Sequence, residues 1–251
     1  MNSPELTYYD LGRRVVAFSS TRQGGCSTGN YAAFNVNAYC GDSAEHITEN
    51  RRSLSVLLGL PEQHLIMPHQ THGTTVCRID VPPTETIEAT DALMTNVPGL
   101  CIGVSTADCI PVLLYDEEHH AAAAVHAGWR GTVRRIVGEA VRAMHDAYGT
   151  EPAALKAVIG PGISLDSVEV GDEVYEKFAA AGFDMPAISR RDDKWHIDLP
   201  SCNRLQLEAA GLVPAHIQMT GICTYQQYDR YFSARRLGIQ SGRIFTGILL
   251  K

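Results

Sequence analysis

The sequence predicts an α+β fold: one domain over residues 1–251, with a mixed β-sheet and flanking helices. Strand-like runs come in consecutive groups with helices interspersed, rather than in strict alternation, which separates α+β from a doubly wound parallel sheet. No glycine-rich dinucleotide or Walker-type loop follows a strand, so nucleotide binding of those kinds is not supported. No internal repeat, low-complexity tract or linker divides the chain, and 251 residues suffice for one large core.

Apolar and β-branched runs predict strands at Arg14–Ser19, Thr74–Ile79, Leu100–Ser105, Ile110–Tyr115, Ala121–His126, Leu155–Ile159 and Arg243–Leu250. A helix begins near Ser43, an N-cap residue type, and ends at Gly59 before Pro61. A second runs from about Thr132 to Tyr148, where Val133, Ile136, Val137, Ala140, Val141 and Met144 repeat at helical spacing and Gly149 closes it. A third spans Asp172–Ala181 up to Gly182, and a fourth starts after Pro200-Ser201 and ends at Gly211.

A net charge of −7 and a pI near 5.8 argue against nucleic-acid or anionic-membrane partners, leaving a small metabolite. No run approaches the roughly 20 apolar residues of a membrane span. The start, Met1-Asn2-Ser3-Pro4-Glu5-Leu6, lacks the basic and apolar regions of a secretory signal. Seven cysteines, odd in number and scattered, disfavour a disulfide framework and point to a reducing cytoplasm.

Three residues carry the chemistry: His72 in His69-Gln70-Thr71-His72-Gly73, Cys109 in Thr106-Ala107-Asp108-Cys109, and His126 in His126-Ala127-Gly128-Trp129-Arg130-Gly131. Joined as a hairpin by a four-residue loop, the runs ending at Tyr115 and beginning at His120 pair Cys109 with His126. Opposed residues have Cβ atoms about 4.5–5.5 Å apart. Two imidazoles and a thiolate suit zinc, and three protein ligands leave a fourth position for water or substrate. A metal-free reading uses the same residues, with Cys109 as nucleophile and His126 as its base. The inert alternative is a buried cysteine and satisfied histidines, and with it the chain would be at most a non-catalytic metabolite-binding module.

His69 is a further candidate for the site. Asp108 is a candidate to orient a ligand histidine or to bind ribose hydroxyls, and otherwise a turn residue capping its own backbone. His119 and His120 fall in the expected hairpin loop and read as solvated. Arg22, Arg130 and Arg235 stand in motif-like places and could clamp phosphate, or form structural salt bridges. Gly160-Pro161-Gly162-Ile163-Ser164 reads as a tight turn that exposes backbone.

At these residues the chain resembles a known family. The segments are Thr21-Arg22-Gln23-Gly24-Gly25, the His69–Gly73 segment, Asp91-Ala92-Leu93, Thr106 to Pro111, Ala124 to Thr132, Ile159 to Gly162, Val168 to Gly171, Asn203 to Leu207 and Phe232-Ser233-Ala234-Arg235-Arg236. The resemblance is to the YfiH-type purine nucleoside phosphorylases, formerly called laccase-domain or polyphenol-oxidase-like. It implies an architecture shared with a toxin deamidase, and Zn2+ held by His72, Cys109 and His126. It also implies phosphorolysis of adenosine, inosine, guanosine and methylthioadenosine, with deamination of adenosine. Two departures stand out. The stretch Gly162 to Glu169 lacks the family's cysteines and tyrosine, and Ala234 replaces a common tyrosine. Phenol oxidation by a multicopper centre is disfavoured, since such centres use His-x-His pairs and these ten histidines form none.

Overall fold

The computed structural model describes residues 3–251, so Met1 and Asn2 of the amino-terminal segment read above lie outside the described residues. In chain order the strands are β1 (Leu6–Tyr9), β2 (Val15–Ser20), β3 (Leu65–Ile66), β4 (Val76–Arg78), β5 (Ala92–Thr95), β6 (Cys101–Thr106), β7 (Ile110–Asp116), β8 (Ala121–Ala127), β9 (Lys156–Ile159), β10 (Ser189–Arg191), β11 (Trp195–Ile197), β12 (Ile217–Met219) and β13 (Ile244–Leu250). The helices are α1 (Ala44–Leu58), α2 (Trp129–Val133), α3 (Ile136–Tyr148), α4 (Asp172–Ala180), α5 (Met185–Ile188), α6 (Leu199–Ala209) and α7 (Ala234–Leu237). No helix among the described residues is long and apolar enough to cross a membrane.

Two mixed sheets stack face to face. One has the order β1-β2-β13-β6-β3, the other β12-β9-β7-β8-β5-β4, and β10-β11 form a separate ribbon. Side-chain alternation builds the layers. Leu113 and Tyr115 of β7 and Ala122 and Ala124 of β8 meet Ala17, Ile102, Val104 and Ile248 of the opposite sheet. Their neighbours Val112, Leu114, Ala123 and Val125 turn the other way, onto Ile136, Val137, Ala140 and Met144 of α3 and Leu207 of α6. On the outer face of the first sheet, Phe18 and Phe245 pack with Leu54 of α1. The result is four layers, helix–sheet–sheet–helix. Both β7 and β8 are buried along their whole length, and the alanines of β8 let layers close on both of its faces.

The β7–β8 hairpin departs from the expected register by two residues. Asp116 pairs with Ala121 and Pro111 with His126, so Cys109, just before β7, is not opposite His126. Asp116 joins the strand because its carboxylate accepts the Glu118 and His119 amides and folds the turn beyond it. His120, read as solvated, is buried and bonds the Tyr115 hydroxyl and the Lys251 carbonyl. A two-residue slip preserves the facing of side chains, whereas one residue would reverse it.

The helix expected over Thr132–Tyr148 is two helices. Arg135 takes a left-handed conformation, φ 62°, and redirects the chain between α2 and α3. Neither glycine nor proline marks the break. The Arg135 guanidinium donates to the Ala181 carbonyl at 2.8 Å and lies over the Phe183 ring. The helix placed after Pro200-Ser201 starts at Leu199, because Asp198 caps it through the Ser201 amide.

Candidate metal centre and its cleft

β6 belongs to one sheet and β7 to the other, so the three-residue bend Ala107-Asp108-Cys109 crosses between sheets at one end of the sandwich. Cys109 sits on that crossing. Asp108 holds it there at φ 86°, a conformation a non-glycine residue keeps only when its surroundings over-determine it. Its carbonyl accepts the Ile163 amide at 2.9 Å. Its carboxylate accepts the Thr224 hydroxyl and the Arg235 amide, each at 2.7 Å. Asp108 therefore neither orients a ligand histidine nor presents a free carboxylate. It ties the bend to Thr224 and to the first turn of α7.

His126 lies near the end of β8, on the strand face turned toward the other sheet. Its partner is Asp91, just before β5: Nδ1 donates to Oδ1 at 2.7 Å, and both residues are buried. A carboxylate can only accept, so Nδ1 carries a proton, and in the neutral ring that binds a metal the Nε2 lone pair is left for the ligand bond. The same carboxylate gathers the loop that carries His72, accepting the Thr71 amide at 3.2 Å, the His72 amide at 2.8 Å and the Gly73 amide. These successive amides form a nest around an anion. The His72 backbone is left-handed, φ 60°, as such a wrap requires. Gln70 pins the loop to β6, receiving the Ser105 amide at 2.8 Å and donating to the Ser105 carbonyl at 2.9 Å. Arg134 closes it from the other side by donating to the His72 carbonyl.

One ligand atom each from His72, Cys109 and His126 lies within 4.8 Å of the others. The Cys109 Sγ to His72 Nε2 separation is 3.8 Å. A tetrahedral angle between a Zn–S bond of about 2.3 Å and a Zn–N bond of about 2.0 Å spans about 3.5 Å, so the donor set fits zinc. Gly128 supplies the room: a Cβ there would stand 2.7 Å from His72 Cδ2 and 3.0 Å from Cys109 Sγ. Burial by itself would push the Cys109 thiol up, but the adjacent imidazolium of His126 and the His72 ring outweigh it and lower the thiol to about 6. His126 responds in kind. Burial disfavours its charged form, yet the Cys109 thiolate and Asp91 raise it to about 9.

The centre opens into a cleft of about 430 Å³, within the range of small-molecule sites. His69 stands in its wall, stacked on Tyr39 with ring centroids 4.2 Å apart and held by Glu88 at 2.6 Å. The three arginines singled out for substrate do not line it. Arg22 spends its guanidinium on the Ala32 and Tyr228 carbonyls and the Phe232 ring. Arg130 is exposed and stacks on Trp129, and Arg235 donates to the Glu169 carbonyl. The arginine in the cleft is Arg243. Sequence reading also passed over Asp91 as a site residue, though Asp91-Ala92-Leu93 is one of the resembling segments, and over Tyr39 and Thr106 of the cleft wall.

Fold and donor set together define a class: a helix-flanked double-sheet sandwich with a His–Cys–His candidate metal centre open to a cleft. The comparisons agree. The family model described as multi-copper polyphenol oxidoreductase laccase matches residues 16–251. A purine nucleoside phosphorylase of Bacteroides thetaiotaomicron is 48% identical over 244 residues, covering 93% of this chain and 90% of that protein. Adenosine deaminase RL5, from an unknown prokaryotic organism, is 42% identical over 261 residues, covering 98% and 99%. Among solved structures, the hypothetical protein YfiH of Bacillus licheniformis superposes with a TM-score of 0.94 at 27% identity, covering 99% of this chain and 97% of that one. The chain belongs to this laccase-like, YfiH-type family.

Proposed function

We propose that the protein is a zinc-dependent purine nucleoside phosphorylase, a single domain working in the reducing cytoplasm. Its substrates are adenosine, inosine, guanosine and S-methyl-5′-thioadenosine with phosphate, and deamination of adenosine is a side activity. The observation that carries this reading is a three-donor centre, half-buried, opening into a cleft of nucleoside-binding size in a chain whose relatives are named for purine nucleoside chemistry.

In phosphorolysis an oxygen of hydrogenphosphate bonds to ribose C1′ as the C1′–N bond to the base breaks. The electron pair leaves on the base nitrogen, which takes the phosphate proton, giving free base and ribose 1-phosphate. His72, Cys109 and His126 would hold zinc, which when bound supplies a Lewis acid for phosphate, a base atom or, in deamination, water. Asp91 keeps His126 in the tautomer that leaves Nε2 available and keeps His72 at the same spot. Asp108 holds the Cys109 bend. His69 and Tyr39 offer aromatic surface at the cleft wall for a purine. Positioning and charge complementarity supply most of the acceleration.

The test is chromatography of adenosine incubations with and without phosphate, using the protein and Cys109→Ala. Adenine formed only with phosphate, and lost in the variant, supports phosphorolysis; inosine without a phosphate requirement makes deamination primary. Turnover that survives chelation and dies on thiol alkylation would replace the zinc reading with a Cys–His hydrolase. The lowered Cys109 thiol beside His126 keeps that second reading in play.

A further inference from the structure

Phosphorolysis needs a site for a multiply charged oxyanion, and the arginines expected to provide it face elsewhere. Arg243 is the arginine that lies in the cleft. It immediately precedes β13, and Ile244 pairs with Thr106, which sets Arg243 beside the end of β6 where the chain turns toward Cys109. Its Nη1 donates to the Ser241 and Gly242 carbonyls at 2.6 and 3.0 Å, and its Nη2 to the Ile239 carbonyl at 2.9 Å. Its own amide donates to Asn35 at 3.1 Å.

These bonds use Nη1 and one hydrogen of Nη2. Nε donates to no protein atom among the described residues, and Nη2 keeps a second hydrogen. Nε and Nη2 form the edge of the fork that grips an oxyanion with two parallel hydrogen bonds. No carboxylate of the described residues lies within 4.0 Å of Arg243, although the chain carries 28 acids. Carbonyl dipoles thus fix a cation in place without cancelling its charge.

A second observation points the same way. Thr106 lines the same cleft, is only 1% exposed, and its hydroxyl has no partner among the described residues. Buried hydroxyls are ordinarily satisfied, so an orphaned one in a cleft wall is a waiting donor.

We propose that Arg243 and Thr106 form the orthophosphate subsite of the cleft, the guanidinium edge gripping two phosphate oxygens and the Thr106 hydroxyl a third. This rests on the phosphorylase reading and names the residues that hold its second substrate. Arg243 fixes which oxygen is left to meet C1′, and the carbonyl collar around Nη1 removes the freedom a lysine would have.

The experiment measures initial rates against phosphate and adenosine separately, with zinc content, for the zinc-loaded protein and for Arg243→Met, Arg243→Lys and Thr106→Val. KM for phosphate should rise about tenfold or more in Arg243→Met and less in Thr106→Val, with KM for adenosine and zinc content held. Arg243→Lys, which keeps the charge but not the fork, should recover only part. Thr106→Val guards against loop disruption, because the Thr106 side chain holds no other segment. An unchanged KM for phosphate in both variants, or a rise confined to adenosine, overturns the assignment. If the wild-type protein performs no phosphorolysis, the functional reading fails but the subsite stays testable. Titration with inorganic phosphate, followed by calorimetry, should then show binding to wild type and not to Arg243→Met, and equal or absent binding overturns it. Adenosine 5′-monophosphate is titrated alongside. Loss confined to the nucleotide would assign the edge to an esterified phosphate and overturn the orthophosphate proposal.

Discussion

Asp91→Asn separates the charge of Asp91 from its shape. In the structure Oδ1 accepts the His72 amide and His126 Nδ1, and Oδ2 accepts the Thr71 and Gly73 amides. An asparagine must place its NH2 group against one of these pairs. Set at Oδ1, it orphans the His72 amide and forces His126 to accept, moving the imidazole proton to Nε2, where no metal can bind. Set at Oδ2, it keeps the tautomer but leaves the part-buried Thr71 and Gly73 amides unpaired, at up to about 1–3 kcal/mol each. Stability should therefore fall by at most about 2–6 kcal/mol in the second orientation, and Tm by about 2–4 °C for each kcal/mol. Loss of a carboxylate behind a ligand histidine typically weakens metal binding about 10–100-fold. Competition against a chromophoric zinc chelator reads the affinity, and calorimetric unfolding of the metal-free protein reads the stability. A variant that binds zinc within about threefold of wild type and melts at the same temperature would refute this account of Asp91.

Gly128→Ala should leave Tm nearly unchanged, since φ −67° suits alanine, while its Cβ meets His72 Cδ2 at 2.7 Å and Cys109 Sγ at 3.0 Å. Zinc titration should then show at least about a tenfold loss of affinity. Iodoacetamide should label metal-free protein first at Cys109. A thiol at about 6 is almost wholly thiolate at pH 7, whereas burial pushes Cys101 and Cys202 far up. Its labelling rate, followed by peptide mass spectrometry, should fall as pH drops below about 6, and zinc should suppress it; equal labelling of all cysteines would contradict the assignment. Elemental analysis of the purified protein should give one transition-metal ion per chain, and none in His126→Ala.

The core was legible in its apolar runs and its spacing. The continuous apolar runs of β7 and β8, buried on both faces, and the helical spacing of Val137, Ala140, Val141 and Met144 are one-dimensional signals of packed segments. The three metal-ligand candidates were legible as residue types in polar, glycine-flanked segments. What holds them was not. Asp91 acts through three amides some 20 residues earlier in the chain and an imidazole 35 later, and no local pattern announces a nest that only folding creates. Arg243 reads as the start of a strand; its distinction is its place in the cleft wall, visible only when neighbours are in place. The hairpin register failed for a simpler reason. Asp116 looks like loop chemistry, yet its backbone pairs with Ala121 while its carboxylate organises the turn.

The laccase description attached to the family can be weighed on ligand geometry. A multicopper oxidase passes electrons from a copper that accepts them to a cluster that reduces oxygen, so it needs several separate donor sets. Among the described residues, His72, Cys109 and His126 are the one group of three or more histidine, cysteine or acidic side chains able to share an ion. A His2Cys set is found in copper electron-transfer sites, but those complete the ion with a weak axial donor such as methionine. Here no methionine lines the cleft, which the three donors share with Tyr39, His69 and Arg243. Three donors in a cleft with an aromatic wall and a cation free of carboxylates suit a substrate with a flat base and an anionic partner. They give an electron nowhere further to go. The geometry thus favours group transfer at a single ion over oxidation through a relay.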